Sequence, residues 1–151
     1  MHAVKCRNAI CLSPRGRAVR MVTIVVADDE ARIRLLLQAT LRGEGHRVVE
    51  AADGDEALTA IRAHRPAVAI LDVMMPGPSG LEVCRAVRAD SSLVGTRVII
   101  SSANATEADA LGAGADAFIP KPFLPSCMRD VVDGVTASRS GHRNVVGHRA
   151  V

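Results

Sequence analysis

From Met21 onward the chain alternates short, β-branched apolar runs with longer stretches in which apolar residues recur every three or four positions. Five runs have strand character: MVTIVVA (21–27), RVVEA (47–51), AVAIL (67–71), RVIIS (97–101) and DAFIP (116–120). The first, third and fourth are apolar at successive positions, the pattern of strands covered on both faces. After the first run, Ile33, Leu36, Leu37 and Leu41 share one helical face, with Arg32, Arg34 and Arg42 elsewhere. The same spacing recurs at Ala57, Leu58 and Ile61, at Leu81, Cys84 and Val87, and at Met128, Val132 and Val135, so Cys84 and Met128 read as core. Five strands alternating with five helices predict a doubly wound α/β domain over residues 21–137, joined by right-handed crossovers. In such a sheet, function gathers beyond the carboxyl ends of the strands.

Composition narrows the partners. The 151 residues, 48% of them apolar, suffice for one core. No apolar run approaches the roughly 20 residues of a spanning helix, so no membrane insertion is expected. Two Phe are the only aromatic side chains, which leaves no platform for stacking bases. The net charge of +3 conceals an asymmetry, because residues 1–20 and 137–151 carry eight Lys or Arg and no acid, leaving 21–136 at −5. Specific nucleic-acid binding by that acidic centre is not expected. Residues 1–20 read as a basic extension, disordered or upstream of the native start, and 138–151 as a basic tail in which His142 and His148 stand too far apart for a metal site. Cys6, Cys11, Cys84 and Cys127 form no CxxC pair, and the first 20 residues lack the apolar stretch of a secretory signal. A cytoplasmic protein with reduced thiols is expected.

The predicted strand ends carry the chemistry. Asp28, Asp29 and Glu30 follow the first strand, Asp72 the third, Ser102 the fourth and Lys121 the fifth. With the first and third strands adjacent, about 4.8 Å apart, Asp28, Asp29 and Asp72 share one pocket. Carboxylates that close raise one another's pKa unless a cation is present, and a small set of hard oxygen ligands suits Mg²⁺. The plainer alternative has Asp28 and Asp29 capping the helix that starts near Ala31. Polar groups at three further strand ends weigh against it.

Together VVADDE (25–30), ILDVMMPGPSGLEV (70–83), SSAN (101–104) and GAGADAFIPKPF (112–123) make residues 22–137 resemble the receiver domain of bacterial two-component response regulators, in a stand-alone form like the chemotaxis regulators. The resemblance implies a flavodoxin-like five-stranded parallel sheet in the order 2-1-3-4-5. It implies that Asp72 accepts a phosphoryl group from a sensor histidine kinase or phosphotransfer protein. Asp28, Asp29, Asp72 and the main-chain carbonyl of Met74 then correspond to Mg²⁺ ligands, Ser102 and Lys121 to phosphate contacts, Phe118 to a switch aromatic, and Lys121–Pro122 to a cis peptide bond. Such a protein is a phosphoacceptor with only self-catalysed transfer and dephosphorylation, and it passes the signal to a downstream protein.

The sequence also departs from the family. Only 19 positions separate Ser102 from Lys121, which predicts a short fourth helix in TEADALGAG (106–114). In the fifth helix Pro125 suits the first turn, but Leu124 cannot cap it and Gly134 lies inside, so fraying is expected. Two rival functions share these residues: a binding module of the same fold that is indifferent to phosphorylation, and a small Mg²⁺-dependent phosphohydrolase. The second would want an acid where Met74 stands.

Overall fold

The computed structural model describes residues 10–12, 16 and 18–137. In chain order the elements are β1 (Thr23–Ala27), α1 (Ala31–Gly43), β2 (Arg47–Ala51), α2 (Gly54–His64), β3 (Val68–Asp72), α3 (Gly80–Ala89), β4 (Arg97–Ser102), α4 (Glu107–Gly112), β5 (Ala117–Pro120) and α5 (Pro125–Ala137). All strand pairs of this sheet are parallel and the order is β2-β1-β3-β4-β5, the flavodoxin-like 2-1-3-4-5 arrangement. The central strands are apolar at successive positions over 24–27, 68–71 and 98–100 because both of their faces are covered. Val25, Ala27, Ala69, Leu71, Val98 and Ile100 pack in one core layer with Ile61 of α2, Val83 and Val87 of α3 and Ala110 of α4. Their neighbours Ile24, Val26, Ile70 and Ile99 pack in a second layer with Leu37 and Leu41 of α1 and Met128 and Val132 of α5. The period of two along each strand thus divides one sheet between two cores.

Several boundaries differ from the sequence reading. β1 starts at Thr23, two residues late, because Met21 and Val22 lead into the sheet and the Val22 N–H donates to Nδ1 of His46 at 3.4 Å. β3 and β4 extend one residue further, so Asp72 and Ser102 lie within the ladder, opposite Ser101 and Pro120 respectively. Leu36, expected on the buried face of α1, is 39% exposed; the helix rests on a narrower stripe of Leu37 and Leu41 with Ile33 half-buried. α4 has only six residues and is held by a reciprocal capping box between Thr106 and Asp109. Ile10–Leu12 pairs antiparallel with Ala18–Arg20 as a two-stranded ladder of its own, so these residues of the 1–20 extension are not without structure. The rest of that extension, apart from Gly16, and the 138–151 tail with His142 and His148 lie outside the described residues. Among the described residues no helix is long and apolar enough to cross a membrane.

Candidate functional site

β1 and β3 are adjacent and parallel, so the acids at their carboxyl ends converge. One carboxylate oxygen each from Asp28, Asp29 and Asp72 lies within 4.8 Å of the others. Asp28 and Asp72 are 3% and 6% exposed, while Asp29 faces solvent. The Asp28 N–H donates to the Ala51 carbonyl at 3.2 Å, which extends the β1–β2 ladder, and Oδ1 accepts the Glu30 N–H at 2.9 Å as the chain turns into α1. The N-cap of α1 is Glu30 and makes no side-chain capping bond, so neither Asp28 nor Asp29 serves that role.

Lys121, just past β5, reaches into this pocket. Its Nζ lies 2.6 Å from Asp28 Oδ2 and 3.4 Å from Asp72 Oδ2. Burial pushes the Asp72 carboxyl up from its ordinary value and the charge of Asp28 adds to that, while Lys121 and the Met74 N–H, 3.4 Å from Oδ1, only partly offset it. Burial by itself would lower the Lys121 ammonium, but the hydrogen bond and charge of Asp28, with those of Asp72, outweigh it and hold Lys121 above its usual range. Three carboxylates facing one ammonium leave negative charge in excess. An all-oxygen donor set with that excess fits a hard divalent cation such as Mg²⁺.

The surrounding loops are fixed by close backbone contact. A Cβ on Gly80, at the start of α3, would lie 2.1 Å from the Asp72 carbonyl oxygen. A Cβ on Gly54, at the start of α2, would lie 2.0 Å from the Pro78 carbonyl, and the Gly54 N–H donates to the Pro76 carbonyl at 3.1 Å. The β3–α3 loop, in which Met74 is 61% exposed, is therefore pinned between two helix N-termini. Ser79 and Glu82 form a capping box at the start of α3.

Ser102 is buried at the end of β4, where its Oγ accepts the N–H groups of Asn104 and Ala105, each at 3.2 Å. Phe118, half-buried on β5, packs against the core layer shared by α2, α3 and α4. The Lys121–Pro122 peptide is cis, and the Lys121 N–H donates to the Ser102 carbonyl at 3.0 Å, tying the β5 exit to the β4 end. Sequence reasoning did not single out Gly54, whose tight packing no periodicity announces, or Gly80, although Gly80 stands inside the quoted ILDVMMPGPSGLEV run. It also missed Arg34, whose Nη1 donates to the Asp28 carbonyl at 2.7 Å. In the sequence Arg34 looks no different from Arg32. At the opposite edge of the sheet, Asp116 pairs with Arg88 and Arg97 and accepts the Val98 N–H, a hub that joins β5, β4 and α3 and is remote from the acidic pocket.

Comparison with known proteins agrees with this fold. The family described as the response regulator receiver domain matches residues 24–133. The DNA-binding response regulator MtrA of Mycobacterium tuberculosis is 43% identical over 105 residues, 68% of this chain and 45% of that protein. The transcriptional regulatory protein ResD of Bacillus subtilis is 42% identical over 117 residues, 76% of this chain and 46% of that protein. The chain thus spans about half the length of the curated relatives it matches. Among solved structures, the chemotaxis response regulator CheY4 of Vibrio cholerae superimposes with a TM-score of 0.72 at 31% identity, covering 76% of this chain and 98% of that one. The Francisella response regulator 1452 receiver domain gives 0.73 at 26% identity, covering 79% and 99%.

Proposed function

Because this chain belongs to the response regulator receiver domain family, we propose that Asp72 accepts a phosphoryl group from a sensor histidine kinase or phosphotransfer protein and that the modification switches a protein-binding surface. The observation that carries the reading is the convergence of Asp28, Asp29, Asp72 and Lys121 at the end of β3. The Asp72 carboxylate attacks the phosphorus of phosphohistidine; the O–P bond forms as the N–P bond breaks, and the electron pair leaves on the imidazole nitrogen. Asp28, Asp29, Asp72 and the Met74 carbonyl are the groups that would hold Mg²⁺, which when bound supplies positive charge opposite the phosphoryl oxygens. Lys121, already 3.4 Å from Asp72, supplies a second cation from the protein and can shift from Asp28 to the new phosphoryl group. Ser102 is positioned at the neighbouring strand end to donate its hydroxyl proton to a phosphoryl oxygen, and Phe118, on the next strand, is placed to respond.

The domain is a phosphoacceptor and not a turnover enzyme. A phosphohydrolase would need an acid at Met74, where an exposed thioether stands. The receiver itself makes no specific nucleic-acid contact and works in the cytoplasm; MtrA and ResD, which match over less than half their lengths, carry their DNA-binding and transcriptional names as whole proteins. Incubation with a phosphorylated kinase or acetyl phosphate, followed by intact-mass measurement, tests the reading. The expected gain of one phosphoryl group requires Mg²⁺ and disappears in Asp72→Asn. Full labelling of Asp72→Asn overturns it, and equal partner binding by both proteins would favour the phosphorylation-independent module.

A further inference from the structure

We infer that Arg34 is a positioning residue for Asp29, holding the exposed carboxylate of the cation site in place through the backbone and not through its own charge. The inference rests on the Mg²⁺ reading above and deepens it. Asp28 is fixed on every side: its N–H by Ala51, its Oδ1 by the Glu30 N–H, its Oδ2 by Lys121. Among the described residues Asp29 shows no comparable protein contact, yet its carboxylate stands within 4.8 Å of the other two. Its placement therefore depends on the peptide that joins it to Asp28. The carbonyl of that peptide is the one to which Arg34 Nη1 donates at 2.7 Å, from one turn into α1.

Arg34 is itself steadied from the side. Its Nε lies 3.7 Å from Oε1 of Glu50 on β2, so the guanidinium spans α1, the end of β1 and the neighbouring strand. A planar guanidinium can hold both contacts in fixed directions, which a single ammonium cannot. Substituting a group that orients a metal ligand without touching the metal typically costs about 10–100-fold in affinity or activity.

The sign of the effect separates positioning from charge. Arg34 is a cation beside a cation site, so by Coulomb's law alone its removal should strengthen Mg²⁺ binding. If it orients Asp29, removal should weaken binding. The test is a titration with Mg²⁺ alone, followed through the amide resonances of Asp29, Glu30 and Met74, for wild type, Arg34→Gln, Arg34→Lys and Asp29→Asn. Expected is a dissociation constant raised about tenfold in Arg34→Gln, with a smaller rise in Arg34→Lys, which keeps a donor for the Asp28 carbonyl. A merely structural role would lower the metal-free melting temperature and leave the constant unmoved, and that result overturns the inference. So does an unchanged or tighter constant in Arg34→Gln while Asp29→Asn still weakens binding. Wild type that fails to bind Mg²⁺ overturns the inference and the cation site together.

Discussion

Asp72 carries an unfavourable charge before any chemistry happens. Its pKa is raised in the fold by burial and by Asp28, so the folded protein favours the protonated form more than the unfolded chain does. The resulting penalty is absent below the unfolded carboxylate value and complete once pH has risen above the folded one. Asp72→Asn should therefore melt higher than wild type at neutral pH in chelator, by about 1 kcal/mol or roughly 3 °C, and the gap should close as pH falls through the carboxylate range. Thermal melts at several pH values check this. At Ser102 the expectation concerns coupling: Ser102→Ala should still be phosphorylated at Asp72, while the beryllium fluoride-induced amide shifts over residues 105–130 shrink well below those of wild type. Matching shifts in both proteins would remove Ser102 from the switch. The acids were legible in the sequence because parallel strands put all their carboxyl ends on one edge. That Lys121 favours Asp28 at 2.6 Å over Asp72 at 3.4 Å was not, since it depends on side-chain reach across strands that are far apart in the chain.

The helices differ in what a substitution can do to them. Gly134 lies inside α5 with nothing within 4 Å of where a Cβ would stand, so Gly134→Ala should stabilise by about 0.5–1 kcal/mol, read as a higher urea midpoint. At Gly80 the same change places a methyl group 2.1 Å from the Asp72 carbonyl, and helix and acceptor strand cannot both stay in place. Gly80→Ala should cost more than about 2 kcal/mol in a urea melt and weaken phosphorylation as well. The sequence marked Gly134 only as a residue of low helix preference, and Gly80 only as one position of the ILDVMMPGPSGLEV run. What surrounds each is decided by the crossing of α3 over the end of β3, which periodicity does not encode. The five strands of the parallel sheet were legible, whereas the Ile10–Leu12 and Ala18–Arg20 ladder was not, because three-residue strands offer no period to count.

Across the molecule, β1 finds its partners in β2 and β3, and the N-terminal ladder pairs with itself. A chain starting at Met21 keeps the Val22 bond to His46 and the whole five-stranded sheet. Its unfolding free energy should lie within about 1 kcal/mol of the full chain, and a larger loss in a urea melt would mean that the segment docks on the domain. The sheet also separates two apolar layers, with Phe118 belonging to the layer of α2, α3 and α4, while α1 and α5 share the other. The strands between them act as a partition, because their backbone groups are spent on one another and their side chains reach only one side each. A rearrangement that begins at Ser102 and Phe118 would loosen one room of the house and leave the other furnished as before. Hydrogen–deuterium exchange would then be lopsided, with protection changing in α3 and α4 and holding steady in α1, so that a partner gripping α1 would not feel which state the protein was in.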